Sequence, residues 1–300
     1  MSTNGVEQKP SDTAMFAALR RAIANKDYQN ERFGPDYLAE LFLPANFRFI
    51  IKFTKIRANV KKKLNGFLPG LHEYMIARTA YFDRIFMDAL DNKIPQIVLL
   101  GAGYDSRAYR FADLISDTKI IELDIATTQN RKKECLRKAK VEIPKHVSFI
   151  PIDFNNESLQ KVLEKAGYEN HKKTLFLWEG VSYYLESDSV DATLEFVSRS
   201  AHIGSAIALD YTISIAEENM DDYGVKEFYQ TMKEHHSNEE LMFAIDAGKI
   251  VSFLGKRGLK LVDYLDNEQI ERKFLINEDG SLIGQIPAHF RFLMASPSFK

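Results

Sequence analysis

Cysteine is nearly absent from the 300-residue sequence, which contains only Cys135. One cysteine cannot form an internal disulfide or a cysteine-based metal cluster, so we expect no metal site and a reducing compartment. Long apolar runs are also missing. No segment approaches about 18 uninterrupted apolar residues, and the N-terminal stretch MSTNGVEQKPSDTAMF lacks the apolar centre of a signal peptide. These absences predict a soluble, cytoplasmic protein without a membrane partner.

An excess of either charge is lacking as well, since 40 basic residues oppose 42 acidic ones for a net charge of -2. A dedicated nucleic-acid-binding protein usually carries a clustered basic excess, so this balance argues against nucleic acid as a partner. The basic run in FRFIIKFTKIRANVKKKLNGFLPG favours a helix with a solvated lysine edge over a patch for nucleic acid or lipid.

The hydrophobic content of 45% is enough for one large α/β domain or for a domain with a cap. The first part of the chain reads as helical, because apolar pairs in ARTAYFDRIFMDAL recur with helical period. We expect residues 1–94 to form a helical cap or lid, including a helix that clamps the cofactor. Residues 95–300 are expected to form the α/β domain that binds the cofactor.

From Gln96 onward, short apolar runs alternate with longer amphipathic stretches, which is typical of a parallel, doubly wound sheet. The last two runs flank the polar NEDGSLIG and are predicted to pair in antiparallel fashion. The fold class is therefore α/β, with a doubly wound, mostly parallel seven-stranded sheet. An insertion of about residues 212–249 after the fifth strand is expected to cover the ligand-binding edge. The predicted strands are residues 97–100, 119–123, 147–152, 174–178, 205–211, 259–264 and 289–294.

The stretch VLLGAGYDSRAYRF, residues 98–111, places Gly101 and Gly103 directly after the first predicted strand. Glycine lets the backbone approach a ligand closely, and the following helix start offers unpaired N–H groups. The loop is a degenerate match to GxGxxG with Ser106 in the third place, so a nicotinamide cofactor is one alternative. Asp105 favours S-adenosylmethionine, because its negative charge opposes a pyrophosphate but tolerates a ligand with a sulfonium and an ammonium group.

Acidic residues end the next three predicted strands. Asp124, with Glu122 as the alternative, is placed to accept hydrogen bonds from the ribose hydroxyls. Asp153 is placed to accept from the adenine amino group, and the adjacent Phe154 offers an apolar wall. Glu179 is placed to bind the methionine ammonium or to position the methyl acceptor. A single acid at a strand end is more often a turn residue or helix cap, but three in register favour a ligand site.

Five segments together resemble the leucine carboxyl methyltransferase-like family of class I S-adenosylmethionine-dependent methyltransferases. The resemblance extends from about Asp36 to near the C-terminus, and GAGxDxR followed by EGxxxYL is more specific than a lone GxG. The segments are ARTAYFD (77–83), VLLGAGYDSRAYRF (98–111), IELDIATTQNRKK (121–133), IPIDF (150–154) and LWEGVSYYL (177–185).

The resemblance implies a Rossmann-like class I methyltransferase fold and S-adenosylmethionine as cofactor. Arg78 would clamp the methionine carboxylate by a charge-assisted contact, and Glu179 would face the amino-acid end. Tyr183 and Tyr184 are interpreted as core packing. The implied cofactor-binding residues are Arg78, Gly101, Gly103, Asp124, Asp153, Phe154 and Glu179.

No catalytic residue is identified from the sequence. The seven histidines show no catalytic or metal pattern, and the pair His235–His236 is interpreted as a solvated loop. A carboxylate acceptor needs no general base, because it is already anionic near neutral pH, whereas a hydroxyl or phenol would benefit from one. The sequence predicts an O-methyltransferase for a carboxylate or hydroxyl of a small organic molecule. Alternatives are a protein C-terminal carboxyl methyltransferase, an NAD(P)-dependent oxidoreductase and a catalytically idle binding module.

The acceptor is expected to lie beneath a lid formed by the N-terminal helices and the insertion. An apolar enclosure would favour a small acceptor, whereas the basic run at residues 61–63 would supply anchors for a protein tail. The oligomeric state is not predicted. The expected wall residues are Phe47, Phe49, Phe53, Met220, Tyr223, Phe228, Tyr229 and Met232.

Overall fold

The computed structural model describes residues 9–30, 32–235 and 241–298 of the chain. Across these residues, eight strands form a sheet that carries helices on both faces. The strands are β1 Gln96–Leu100, β2 Lys119–Asp124, β3 Val147–Pro151, β4 Thr174–Trp178, β5 Ala206–Ser214, β6 Ile245–Asp246, β7 Leu259–Leu265 and β8 Phe290–Pro297. The helices are α1 Asp12–Tyr28, α2 Ala45–Ile50, α3 Thr54–Phe67, α4 Leu71–Asp91, α5 Arg107–Arg110, α6 Ala126–Lys138, α7 Leu159–Lys165, α8 Ser187–Ser200, α9 Val225–His235, α10 Ile250–Lys256 and α11 Asn267–Phe274.

The order of the strands is β3-β2-β1-β4-β5-β8-β7, and β6 pairs with the end of β5. Strands β1 to β5 are parallel to one another, whereas β8 runs antiparallel between β5 and β7. The predicted doubly wound, mostly parallel sheet is therefore confirmed, including the closing antiparallel pair. The additional strand β6 was not predicted, because two residues are too short to produce an apolar run.

Strand β1 shows why the sheet needs helices on both faces. All five of its residues are buried, and successive side chains point to opposite sides. Leu99 belongs to the apolar cluster that includes Phe82 of α4, while Val98 belongs to the cluster that includes Leu194 of α8. Each fully buried aliphatic side chain of this kind contributes about 1.5–3 kcal/mol to folding. The uninterrupted apolar run in the sequence thus reflects two separate cores.

Helices α1 to α4 occupy the described part of the N-terminal 94 residues. Helix α1 begins after Ser11, whose hydroxyl accepts a hydrogen bond from the backbone N–H of Ala14. It packs against α4, which contacts β5 and α11, while α3 contacts α9. In the ranges that the structure describes, no helix is both long and apolar enough to cross a membrane.

Candidate active site

A cavity of about 640 Å³ lies at the carboxyl ends of β1 to β4. Its position is the point where the strand order reverses, which is where open α/β sheets bind ligands. Its volume lies within the range of small-molecule sites. The seven residues that were predicted to bind the cofactor all line this one cavity, and their individual contacts with a ligand stay predictions. These residues are Arg78, Gly101, Gly103, Asp124, Asp153, Phe154 and Glu179.

The loop after β1 is shaped by Gly101 and tied to β2 by Asp124. Gly101 has a φ of 71°, and a Cβ there would lie 2.4 Å from Cγ2 of Val181, so only glycine fits without strain. The Asp124 carboxylate accepts hydrogen bonds from the backbone N–H groups of Gly103, at 2.6 Å, and Ile125, at 2.7 Å. The loop backbone is therefore held in one conformation at the edge of the cavity.

Of the two acids near the end of β2, Asp124 lines the cavity and Glu122 does not. The buried Glu122 carboxylate accepts hydrogen bonds from Nζ of Lys132, at 2.7 Å, and from the hydroxyl of Tyr109, at 3.0 Å. Burial raises the pKa of Asp124 to about 6, even though its two backbone N–H donors act in the other direction. Only Asp124 of these two acids therefore lies at the cavity, and its contact with the ribose stays a prediction.

The Asp153 carboxylate has partners within its own turn. Oδ1 accepts from the backbone N–H of Asn155 at 3.0 Å, and Oδ2 accepts from the side-chain amide of Asn156 at 2.7 Å. The neighbouring Phe154 is half-buried against the apolar cluster beneath α8. Asp153 is thus a turn residue, as single acids at strand ends usually are, and it lines the cavity at the same time.

Arg78 and Glu179, predicted to face the amino-acid end of the cofactor, lie against each other. Nε of Arg78 is 3.0 Å from Oε1 of Glu179, an ion pair in which the Nε hydrogen makes no hydrogen bond to any described residue. Nη1 of Arg78 is 3.3 Å from Oδ2 of Asp210 and 3.2 Å from the Tyr183 hydroxyl. The guanidinium packs so closely on Gly180 that a Cβ there would lie 2.8 Å from Nη1. A ligand's amino-acid group would therefore share or replace contacts already present in the protein.

Arg107 joins three carboxylates in the cavity wall, and the sequence argument did not single it out. Its Nε lies 2.7 Å from Oδ1 of Asp83, and its Nη1 lies 2.5 Å from Oδ2 of Asp105 and 2.7 Å from Oε2 of Glu179. Burial alone would lower the pKa of Arg107, but these three carboxylates raise it above the ordinary value. Because Asp105 is neutralised in this way, it repels a pyrophosphate less than its place in the sequence suggested. The available signal was the arginine of GAGxDxR, whose partners only the fold reveals.

Asp210 of β5 is a second functional candidate that the sequence argument missed. It is fully buried, and it accepts hydrogen bonds from the backbone N–H of Gly180, at 2.6 Å, and from the Tyr74 hydroxyl, in addition to its contact with Arg78. Burial and the Asp210 charge raise the pKa of both Tyr74 and Tyr183 well above the ordinary value. Tyr183 is therefore a buried core residue whose protonated hydroxyl also contacts Arg78.

The remaining lining of the cavity is largely apolar and comes from helices. Helices α3 and α9 meet there, since the Thr231 hydroxyl donates to the carbonyl of Phe67 at 2.8 Å. Of the eight expected wall residues, Phe228 and Met232 line the cavity, whereas Phe49, Phe53 and Tyr223 are exposed. We call the loops after β1 to β4, with Arg78, the cofactor half, and the following set the apolar half. It consists of Leu64, Phe67, Leu68, Leu71, Met75, Phe228 and Met232.

Arg20 of α1 differs from the other four arginines in the lining. Arg21, Arg78, Arg107 and Arg110 each lie within 4 Å of a carboxylate. Arg20 is 3% exposed and takes part in no ion pair or side-chain hydrogen bond found among the described residues.

Burial lowers the pKa of Arg20 to about 10, and the charge of Glu73, in the first turn of α4, acts in the other direction. The same helix contributes Leu71 and Met75 to the apolar half. An unpaired buried cation at this point attracts an anionic ligand group.

No histidine lines the cavity within the described residues. His72 and His289 are buried elsewhere, and burial lowers the pKa of each to about 3. Of the pair predicted to be solvated, His235 ends α9 and His236 lies outside the described residues. The same residues contain no group of three His, Cys, Asp or Glu side chains that could hold a metal ion. The described lining thus provides no imidazole base.

Comparisons with known proteins agree with this geometry. The profile of the family described as leucine carboxyl methyltransferase matches residues 14–198. The candidate S-adenosyl-L-methionine-dependent methyltransferase YktD of Bacillus subtilis is 28% identical over 220 residues, which cover 72% of this chain and 70% of YktD. A candidate methyltransferase of the same type from Mycobacterium avium is 30% identical over 257 residues, covering 85% of this chain and 80% of that protein. The crystal structure of a candidate methyltransferase from Thermobifida fusca shares the fold, with a TM-score of 0.61 at 13% identity and coverage of 98% and 97% of the two chains.

Proposed function

Because the chain belongs to the leucine carboxyl methyltransferase family and is an S-adenosylmethionine-dependent methyltransferase, we propose that it methylates a carboxylate oxygen of a small organic acid. The nicotinamide alternative falls with this cofactor assignment. A hydroxyl acceptor and a protein C-terminus are the competing acceptors, and the lining of the cavity supports the small carboxylic acid.

The lining of the cavity has the chemistry that the cofactor requires. The backbone at Gly101 is exposed to a ligand at the strand end, the Asp124 carboxylate can accept from two ribose hydroxyls, and Phe154 offers a surface for a base. When bound, S-adenosylmethionine supplies a methyl group on a positively charged sulfur. Arg78, Glu179 and Asp124 would bind and orient it there, while the apolar half would exclude water from the acceptor.

The observation that carries the carboxylate proposal is that the described lining offers no base free of another role. No histidine is present, and the buried carboxylates of Asp105 and Glu179 are paired with Arg107. Asp36 is paired with Arg21, and the proposal uses Asp124 and Asp153 to hold the cofactor. A hydroxyl acceptor would have to lose its proton to some group, whereas a carboxylate arrives without one. The described cavity therefore suits an acceptor that is already anionic.

The positive charge of Arg20 also supports a carboxylate acceptor. A single unpaired guanidinium beside an apolar wall can neutralise one carboxylate, either that of the acceptor or that of the cofactor's methionine part. The two assignments are separable, because an Arg20→Met variant would raise the KM for the acceptor in the first case. It would raise the Kd for S-adenosylmethionine in the second.

A small acceptor is favoured over a protein tail, because the proposed cationic anchors lie outside the cavity. Lys61 pairs with Asp27 at 3.2 Å, and neither it nor Lys62 and Lys63 belongs to the lining. The apolar half instead offers an apolar surface for a hydrophobic body attached to the carboxylate.

The test is methyl transfer from tritium-labelled S-adenosylmethionine to paired acceptors that differ only in bearing a carboxylic acid or an alcohol. We expect labelled product with the acids and release of labelled methanol at high pH, because methyl esters hydrolyse there and ethers do not. A base-stable product, or transfer to the alcohols alone, would overturn the carboxylate assignment.

A further inference from the structure

Basic charge is concentrated in one segment of the chain. Between Glu40 and Glu73 there are seven lysines and arginines and no acidic residue, which leaves 33 basic and 42 acidic residues elsewhere. The balanced total therefore conceals a positive segment on an otherwise negative protein. Helices α2 and α3 lie within it.

Most of this charge has no ion-pair partner among the residues that the structure describes. Arg57 and Lys61 pair with Asp27 at 2.6 Å and 3.2 Å. The other five cations are exposed and form no ion pair among the described residues. These are Arg48, Lys52, Lys55, Lys62 and Lys63.

The same two helices expose large apolar side chains. Phe49, Phe53, Ile56 and Phe67 are 61%, 46%, 45% and 58% exposed. Phe49 and Phe53 contact each other edge to face, with ring centroids 5.1 Å apart, while both remain open to solvent. A cluster of exposed aromatic and aliphatic side chains marks an interaction surface rather than ordinary surface variation.

The apolar and basic groups share one side of α3. With 3.6 residues per turn, Ile56, Lys63 and Phe67 point in nearly the same direction, and Lys55 and Lys62 lie together about 110° to one side of them. An amphipathic helix with lysines beside exposed phenylalanine is typical of proteins that lie in the headgroup region of a bilayer. The lysines neutralise anionic headgroups while the rings enter the acyl boundary.

We propose that the α2–α3 surface, formed by these five cations with Phe49, Phe53 and Ile56, docks on an anionic lipid bilayer. Phe67 connects it to the active site, because this residue is exposed on the same helix and also lines the cavity. Docking would bring the apolar half of the cavity to a surface where amphiphilic carboxylic acids partition. The expectation of no membrane partner rested on total charge and on missing apolar runs, neither of which reports on a local surface.

An anionic bilayer fits this surface better than a nucleic acid or a second copy of the chain. Ile56 and the two exposed phenylalanine rings gain from transfer into an acyl environment, whereas a phosphate backbone would use only the lysines. Two copies meeting at this surface would place five like charges against five. A partner that is negatively charged and partly apolar matches both the exposed cations and the exposed apolar side chains of this surface.

The experiment is vesicle flotation with the full chain, using neutral phosphatidylcholine vesicles and vesicles that also contain phosphatidylglycerol. We expect partitioning to the anionic vesicles that weakens as salt is raised, with little binding to the neutral ones. Each lysine near an anionic surface changes partitioning by about fivefold, so Lys55→Gln/Lys62→Gln/Lys63→Gln should weaken it about 100-fold. Phe49→Ser/Phe53→Ser should weaken it independently at high salt.

Matched control variants remove lysines and exposed apolar side chains from other surfaces of the protein. Lys140→Gln/Lys145→Gln/Lys256→Gln removes three exposed lysines, and Leu114→Ser/Val251→Ser removes two exposed apolar side chains, elsewhere on the protein. These controls should bind like the parent. Equal loss in the controls, no binding to anionic vesicles, or self-association abolished by the phenylalanine variant would each overturn the proposal. Tight binding of nucleic acid that the lysine variant abolishes, without vesicle binding, would overturn it as well.

No substitution in these variants lies in the cavity lining. Methyl transfer to a water-soluble acceptor should therefore persist in every one of them, so that failure of the docking proposal is distinguishable from failure of the carboxylate proposal.

Discussion

The two halves of the cavity are built from different kinds of sequence. Residues of the cofactor half lie at strand ends: Gly101 directly follows β1, Asp124 ends β2 and Glu179 directly follows β4. Residues of the apolar half lie on α3, α4 and α9, which meet only through packing of distant segments. Strand ends are recognisable locally, because the apolar run stops there, and parallel strands bring their ends to one edge. The residues of the cofactor half can therefore be predicted from the sequence, whereas those of the apolar half cannot.

The two halves also differ in whether their buried arginines have carboxylate partners. In the cofactor half, Arg107 is surrounded by carboxylates, while Arg20 beside the apolar half has none within ion-pair distance among the described residues. A buried charge with partners is costly to delete, whereas a buried charge without partners is costly to keep. Removing an arginine should therefore have opposite effects on stability in the two places.

The largest effect is expected for Arg107→Ala, which should lower the free energy of unfolding by about 3–5 kcal/mol. The variant leaves Asp83, Asp105 and Glu179 buried near one another without their shared cation. Urea unfolding at pH 7 measures the change. Arg131→Ala is the control, since its ion pair with Glu134 is largely exposed and contributes at most about 1 kcal/mol. Equal losses in the two variants would mean that the Arg107 cluster is no more than a surface-like ion pair.

Arg20→Met should raise the free energy of unfolding by about 1–4 kcal/mol, because the cost of burying this cation outweighs the attraction of the Glu73 charge. The matched variant is Arg21→Met on the same helix, which should destabilise the protein, because Arg21 donates to Asp36 at 2.8 Å. Both are measured by urea unfolding without ligand. If the two substitutions change the free energy of unfolding in the same direction, the proposed difference between arginines with and without an ion-pair partner is wrong.

The sequence predicted the sheet and the residues of the cofactor half because both leave local signals. Contacts between distant segments leave no such signal. The buried run of β1 and the acid at Asp124 are local signals, whereas the pairing of Arg107 with Asp83 joins α5 to α4 across the intervening strand β1. The basic run in FRFIIKFTKIRANVKKKLNGFLPG predicted a helix with a solvated lysine edge, but it did not show which aromatic side chains are covered. Phe49 and Phe53 were therefore assigned to the pocket wall, and the structure exposes both.

Asp124→Asn should weaken binding of S-adenosylmethionine by about 1.5–3 kcal/mol, since charge-assisted hydrogen bonds to the ribose are lost in a side chain of similar shape. Isothermal calorimetry measures the Kd. Glu122→Gln serves as the comparison, because it alters the buried contact with Lys132 outside the cavity and should affect stability more than affinity. If Glu122→Gln weakens binding as much as Asp124→Asn, the ribose is not held by Asp124.

The smallest effect is a pH dependence that belongs to the cofactor half alone. Burial raises the pKa of Asp124 to about 6 in the free protein. Ribose hydroxyls donate to the ionised carboxylate, so ligand binding should lower this pKa, and protons should compete with the ligand as the pH falls below about 6. The Kd should be constant above that pH and rise below it by at most tenfold, about 1.4 kcal/mol, per pH unit. His72 and His289 do not confuse the measurement, because burial lowers the pKa of each to about 3 and both remain neutral in this range. Calorimetry between pH 5 and pH 8 tests the point, with Asp124→Asn measured in parallel to subtract titration of the ligand itself. A wild-type Kd that follows the variant at every pH would show that Asp124 does not bind the ligand in its charged form.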